Sequence, residues 1–265
     1  MVKEELFRYL VLRISLLLVL FLIGTNMAMA RRWRIPSVRS IPGLKAIPFL
    51  IGRAVEMGRP ILFSFGLSSV RDVEFLASLP VFRAIVEKSA QLGGRVIVPV
   101  CVEDTIPAIR TTYREASLSA GRPEIYNPDE IRFFPGGQFY YAIATMSHMM
   151  EQLPASCIYF GSWAAESLMI AETGRALNAA QIAATPSLFQ IPFFIATCDY
   201  VIIGEEFYAA SASMGEDRVM LRSIRGQDLI KLVLIAAIII GSIAISIPGT
   251  PLESAVIWMI RAIGG

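Results

Sequence analysis

The apolar positions of this chain fall into three regimes. At the start, Ile14 to Ala30 is apolar apart from Ser15, Thr25 and Asn26. Near the other end, Leu229 to Ile247 reads LIKLVLIAAIIIGSIAISI. Between them, from about Arg53 to Gly226, short apolar runs alternate with longer amphipathic stretches. The runs are Ile61–Phe65, Val96–Val100, Ile131–Phe134, Cys157–Phe160, Ala180–Ala184 and Tyr200–Ile203. The stretches predict helices over Ser69–Gln91, Ile106–Ala120, Gln138–Gln152, Trp163–Leu177, Ser187–Ala196 and Glu206–Ala212. Strands alternating with helices imply a mostly parallel sheet covered on both faces. The expected fold class is α/β, a three-layer Rossmann-like or flavodoxin-like sandwich flanked by N- and C-terminal transmembrane helices. Local signals support the boundaries: Ser69 with Asp72 as a capping box, Asn127-Pro128-Asp129 as a turn, Thr185-Pro186 as an N-cap followed by proline, and Gly174 capping or interrupting the fourth helix.

The terminal runs read as membrane anchors. Extended back to Tyr9, the first reaches the roughly 20 residues that a helix needs to cross a bilayer. A cleaved signal peptide is the competing reading, with Lys3, Arg8 and Arg13 as its basic start and Ala28-Met29-Ala30 as its cleavage site. Arg31, Arg32 and Arg34 follow at once and oppose translocation, which favours a retained helix. The second anchor is preceded by Arg218, Arg222 and Arg225. Both basic flanks face the central domain, so the positive-inside rule places that domain in the cytoplasm and both termini outside the cell membrane. Ala237 with Gly241, and Ser242 with Ser246, are small-residue pairs of the kind through which membrane helices associate. Trp258 and Arg261 suit a short tail lying at the interface.

The segment after the first anchor has its own period. Pro36, Pro42 and Pro48 recur every six residues, and polyproline II has three residues per turn. On that geometry Ile35, Val38, Ile41, Leu44 and Ile47 form one apolar stripe, and Arg39 and Lys45 share another with the prolines. Two readings stay open: an extended strap with Arg31, Arg32, Arg34, Arg39 and Lys45 on anionic headgroups, or an arm packing its stripe on protein. The resulting map is an N-terminal transmembrane helix over 1–30, a basic connector over 31–52, a cytoplasmic α/β domain over 53–226, a second transmembrane helix over 227–248 and an interfacial tail over 249–265.

Composition changes this picture little. Hydrophobic residues make up 55% and charged residues 17% of the 265, and the excess lies at the ends. The net charge of +2 gives no basis for a nucleic-acid partner; the expected partners are the lipid bilayer and further copies of the chain. Cys101, Cys157 and Cys198 lie in or beside apolar runs without CxxC spacing, which reads as buried thiols rather than a disulfide or zinc framework. His148 is the single histidine, so sites needing two are excluded. It reads as packed or on the surface rather than as a general base.

Ligands of such folds bind beyond the carboxyl ends of the strands. That rule selects Gly66, Ser68 and Ser69, then Glu103 and Asp104, then Gly161, Ser162 and Glu166, then Thr185, and finally Glu205 and Glu206. Most also read plainly as helix caps or as carboxylates complementing helix N-termini. A P-loop, a GxGxxG fingerprint and a GxSxG elbow are all missing from the sequence. No catalytic residue, metal or cofactor is therefore assigned. Ser68, Ser69, Glu103, Asp104, Ser162, Glu166, Thr185 and Glu205 stand as a tentative ligand cleft.

Several longer stretches carry a resemblance: Gly52–Ile61, Gly161–Gly174, Gln181–Thr185 and Cys198–Glu206 with Tyr208–Ser211. They resemble a prokaryotic membrane protein family described as a domain of unknown function, number 6754, from about Ile35 to Leu232. The resemblance implies a membrane-anchored α/β domain and supplies no catalytic residue. The leading expectation is a non-enzymatic, homo-oligomeric scaffold or assembly protein. Small-residue faces at Ala164, Ala165 and Ala171, and at Ala209, Ala210 and Ala212, allow close helix contacts. The alternative is a small-ligand domain, for a nucleotide, phosphate or metal, or an enzymatic one, tethered to the membrane.

Overall fold

The computed structural model describes residues 41–215 and a set of helical residues between positions 230 and 243. The chain divides into two compact units, Met1–Ser37 with Asp217–Gly265, and Val38–Glu216. The first expected anchor, the flank Arg31, Arg32, Arg34 and Arg39, and the tail over 249–265 lie outside the described residues. Among the described residues no helix is long and apolar enough to cross a membrane.

The α/β unit begins with a helix, α1 (Pro42–Glu56). This corrects the extended connector expected over this segment. Gly43, Ala46, Ile47, Leu50, Ile51 and Ala54 are buried, and that spacing is one face of a helix. Pro42 occupies the first turn, where its missing N–H costs nothing. Pro48 sits inside the helix on its exposed side, together with Lys45. The face is fixed by packing: Ser156 Oγ donates to the Leu50 carbonyl at 2.8 Å, and Gly43 lies against Ile202.

Six strands follow, β1 (Ile61–Gly66), β2 (Val96–Val100), β3 (Ile131–Phe133), β4 (Ser156–Ser162), β5 (Ala180–Thr185) and β6 (Tyr200–Ile203). They form one parallel sheet in the order β3-β2-β1-β4-β5-β6. This is the doubly wound order of the dinucleotide-binding folds. β1, β2 and β5 are buried at every position, as strands covered on both faces must be. The edge strands β3 and β6 are partly exposed.

The connecting helices are α2 (Val73–Gln91), α3 (Ile106–Ser119), α4 (Gln138–Gln152), α5 (Glu166–Ala176), α6 (Ile191–Thr197) and α7 (Glu206–Met214). α1, α2, α3 and α7 cover one face of the sheet, and α4, α5 and α6 the other. Strand alternation divides the aromatic side chains between them. Phe63 and Phe65 meet Phe75 and Phe82 of α2 on the first face. Tyr159 meets Trp163 and Phe194 on the second.

Two local expectations fail. Thr185 does not cap a helix over 187–196: it ends β5, its Oγ1 accepts from the Ser187 N–H at 3.2 Å, and α6 starts only at Ile191 with Pro192 in its first turn. Ser69 does not start the first long helix, which begins at Val73; only half of the capping box forms, with Asp72 Oδ2 accepting from the Ser69 N–H at 2.7 Å. Gly174 lies within α5, where a Cβ would collide with Gln181 Oε1. The missing side chain admits a buried network in which Gln181 accepts from Tyr159 and donates to the Ala171 and Thr197 carbonyls.

Glycine substitutions test these assignments. Gly52→Ala, in α1 with no neighbour within 4 Å, is expected to stabilise the protein by about 1 kcal/mol through helix propensity. Gly174→Ala is expected to destabilise it by about 1–3 kcal/mol. Equilibrium unfolding of the full chain measures both; equal effects would contradict the packing described.

Candidate functional site

β1 and β4 are neighbours, but the chain leaves them towards opposite faces, α2 after β1 and α5 after β4. Doubly wound domains take their ligands at such a switch point. Here the two strand ends approach unusually closely. A Cβ on Gly66 would collide with the Ser162 carbonyl oxygen, and one on Gly161 with the Phe65 carbonyl oxygen. Gly66 also has φ +65°, and the register shifts between Ser64 and Gly66. Only glycine serves at both demands. Past the strand end, the Leu67 N–H donates to the Ser162 carbonyl at 2.8 Å.

Ser68 completes the seam. It is buried, donates its Oγ to the Phe65 carbonyl at 2.9 Å and accepts from the Ser162 N–H at 2.8 Å. It caps no helix and ties β1 to β4. The indole of Trp163, also buried, lies against Gly66 and packs edge-on to Tyr159 and Phe194. Side chains of the protein therefore line the switch point itself.

A buried polar group lies beneath this seam. Glu166, the first residue of α5, is 0% exposed. Its Oε1 accepts from the Ala164 N–H at 2.8 Å, Oε2 makes no hydrogen bond of good geometry, and the Gln138 side chain lies near enough to favour the charged form. Burial pushes its carboxyl above the usual range, and the Ala164 hydrogen bond only partly offsets this. Burial, then the nearby Glu166, pushes the Cys101 thiol up. The Tyr141 hydroxyl shares a 2.6 Å hydrogen bond with Ser64 Oγ and donates to the Pro99 carbonyl at 3.4 Å. The Trp163 Nε1 is buried with no acceptor. This arrangement favours the protonated form of Glu166 more than water does.

The remaining expected residues are spread along the same edge. Asp104 takes the Ser69 hydroxyl on Oδ2 at 2.8 Å and the Val70 N–H on Oδ1 at 3.2 Å. It clamps the loop after β1 to the loop after β2. Glu103 is exposed on the 3-10 turn Glu103–Thr105. Thr185 is buried at the end of β5, and Glu205 is exposed before α7. The structure joins Ser68 to Ser162 and Ser69 to Asp104. Among the described residues no group of three or more His, Cys, Asp and Glu side chains is placed to hold a metal ion.

His148 is buried in α4 with no hydrogen-bond partner on either ring nitrogen, edge-on to Phe134 at 6.0 Å. Burial, then the charge of Arg132, lowers its pKa against the opposing pull of Glu151, whose Oε2 lies 3.9 Å from Nδ1. All three cysteines are free thiols; burial pushes Cys157 and Cys198 up to about 12. Sequence reasoning passed over Tyr141 and Trp163 as site residues. For Trp163 there was a signal: a large aromatic residue directly after the small strand end Gly161-Ser162.

Fold and site together define a doubly wound α/β domain whose switch point is sewn shut over a buried carboxyl group. The chain belongs to the family described as Domain of unknown function (DUF6754), whose model matches residues 3–256. No curated protein and no solved structure matches it.

Two measurements test the site. Ser68→Ala strips the Ser162 N–H of its acceptor and is expected to cost about 1–3 kcal/mol in equilibrium unfolding, against well under about 1 kcal/mol for the more exposed Ser69→Ala. For Glu166 the folded-state pKa lies above the unfolded value of 4.5. Its contribution to stability is then complete below pH 4.5 and is lost as pH rises through the folded-state value. Glu166→Gln stays neutral throughout, so its melting temperature relative to the parent is expected to climb from pH 4.5 upward. Burial also raises Glu130, which both proteins retain, so the difference isolates Glu166. A constant difference would contradict the assignment.

Proposed function

We propose that this protein is a membrane-tethered assembly domain whose α/β body pairs with further copies of itself through the outer face of α4. The observation that carries this reading is an exposed apolar stripe along that helix. Phe139, Ile143 and Met150 are 57%, 58% and 58% exposed, and Met146 continues the line between them. The spacing of four, three and four residues is the seam of paired helices. Tyr140 and Leu153 widen the patch.

Charge supports a second copy as the occupant. In 15 residues α4 has one charged side chain, Glu151, in its last turn. A helix without charge along its seam neither repels its own copy nor selects a charged partner. α3, by contrast, carries Arg110, Arg114 and Glu115 and shows an ordinary solvated surface. Fully burying side chains of this size is worth about 1.5–3 kcal/mol each, and a two-fold interface counts each twice.

The tether is part of the same proposal: segments 1–30 and 227–248 cross the membrane and the body lies on the cytoplasmic side. Its support is the basic residues flanking both segments and the described helical residues of the second. There Leu232, Leu234, Ile235, Ile238, Ile239 and Ile243 are all exposed. Apolar side chains spread around a helix in this way suit lipid better than water.

The test is the mass of the detergent-extracted full chain by light scattering across a concentration series. The parent is expected to associate, and Ile143→Glu with Met150→Glu is expected to weaken association at least about a hundredfold by placing charge in the seam. A parent that stays monomeric at every concentration, or a double variant that associates as the parent does, would refute the proposal.

A further inference from the structure

At the amino-terminal edge of the sheet, opposite the switch point, lies a crevice of about 420 Å³. It opens before the first residues of β5 and β6 and is lined by Arg53, Arg175, Asn178, Gln181, Cys198 and Asp199, among others. Arg53 belongs to the last turn of α1 on one face of the sheet, and Arg175 to the last turn of α5 on the other. Two layers thus send one guanidinium each to the same space.

Each guanidinium spends one N–H on a backbone carbonyl. Arg53 Nη2 donates to Asn178 at 2.8 Å, and Arg175 Nη1 donates to Ala196 at 2.6 Å. A guanidinium has five N–H donors, so four remain on each. The Arg53 Nε is buried and has no partner. Among the described residues neither arginine is paired with a carboxylate. Capping the chain ends after α5 and α6 explains one hydrogen bond apiece. It leaves unexplained two guanidinium groups lining one small crevice with a single carboxylate, Asp199, a net positive charge that an anion would balance.

The other walls are polar and fixed. Asn178 is held at φ 55°, and the Gln181 side chain is committed to its internal network. Asp199 Oδ2 accepts from the Gln181 N–H at 2.8 Å. Two positive groups and one negative group line the space, and its volume is of small-molecule size. Guanidinium groups bind carboxylate and phosphate through paired N–H···O bonds.

We propose that this crevice binds a small diffusible oxyanion, a phosphate or carboxylate group on a compound whose hydroxyl or amino group is accepted by Asp199. The site goes beyond the assembly reading and does not depend on it.

The experiment is calorimetric titration of the purified full chain at fixed ionic strength, with inorganic phosphate, glycerol 3-phosphate and citrate as separate probes and chloride as the reference. At least one probe is expected to bind saturably, and the stronger of the phosphate and citrate responses assigns the class. Arg175→Gln is expected to weaken that binding at least about tenfold, and because Arg175 is exposed the variant should fold as the parent does. Asp199→Asn keeps an acceptor for Gln181 but removes a negative charge, and is expected to tighten inorganic phosphate severalfold. No saturable binding by any probe, or binding unmoved by Arg175→Gln, or phosphate weakened by Asp199→Asn, would each overturn the proposal.

Discussion

The close approach of β1 and β4 at their carboxyl ends governs the rest of this domain. A backbone contact that excludes even a methyl group demands glycine at Gly66 and Gly161. Once made, it gives Ser68 two partners in one seam and brings Trp163 down on Gly66. Glu166, the first residue of α5, is buried three residues further along the chain. Burial of this carboxyl disfavours its charged form and shifts its titration upward. The seam therefore packs side chains of the protein into the β1–β4 switch point.

Two surface features stand apart from this seam. One is the stripe on α4, in the layer opposite α1, α2, α3 and α7. A second is the two-arginine crevice at the amino-terminal edge. In the proposed arrangement both ends of the chain are held at one bilayer. Neighbouring copies then meet at a high effective concentration, and a modest apolar seam suffices for assembly.

Much of the fold was legible because the inner strands are continuous apolar runs and the helices between them are amphipathic. The whole of Gln138–Gln152 and of Tyr200–Ile203 could be read from pattern alone. The connector could not. Over Pro42, Lys45 and Pro48 a three-residue period and a helical period mark nearly the same outer face, and only the buried set through Ala54 separates them. Thr185-Pro186 and Gln190-Ile191-Pro192 both satisfy the rule for a helix start, and pairing between β5 and β6 decided for the second. Glu166 was legible as the start of its helix, because that signal is local. The partner of Ser68 lies 94 residues away across the sheet, and no local pattern announces that. The same holds for Arg53 and Asn178, 125 residues apart.

The central claim is that α4 faces α4 of a second copy. Cysteine cross-linking in intact membranes tests it most directly, using Ile143→Cys in a chain with Cys101 and Cys198 replaced by serine, and Arg110→Cys on α3 as the control. The account predicts a disulfide-linked dimer under mild oxidation for Ile143→Cys and none for Arg110→Cys. Equal cross-linking at both positions, or none at Ile143→Cys, would contradict it.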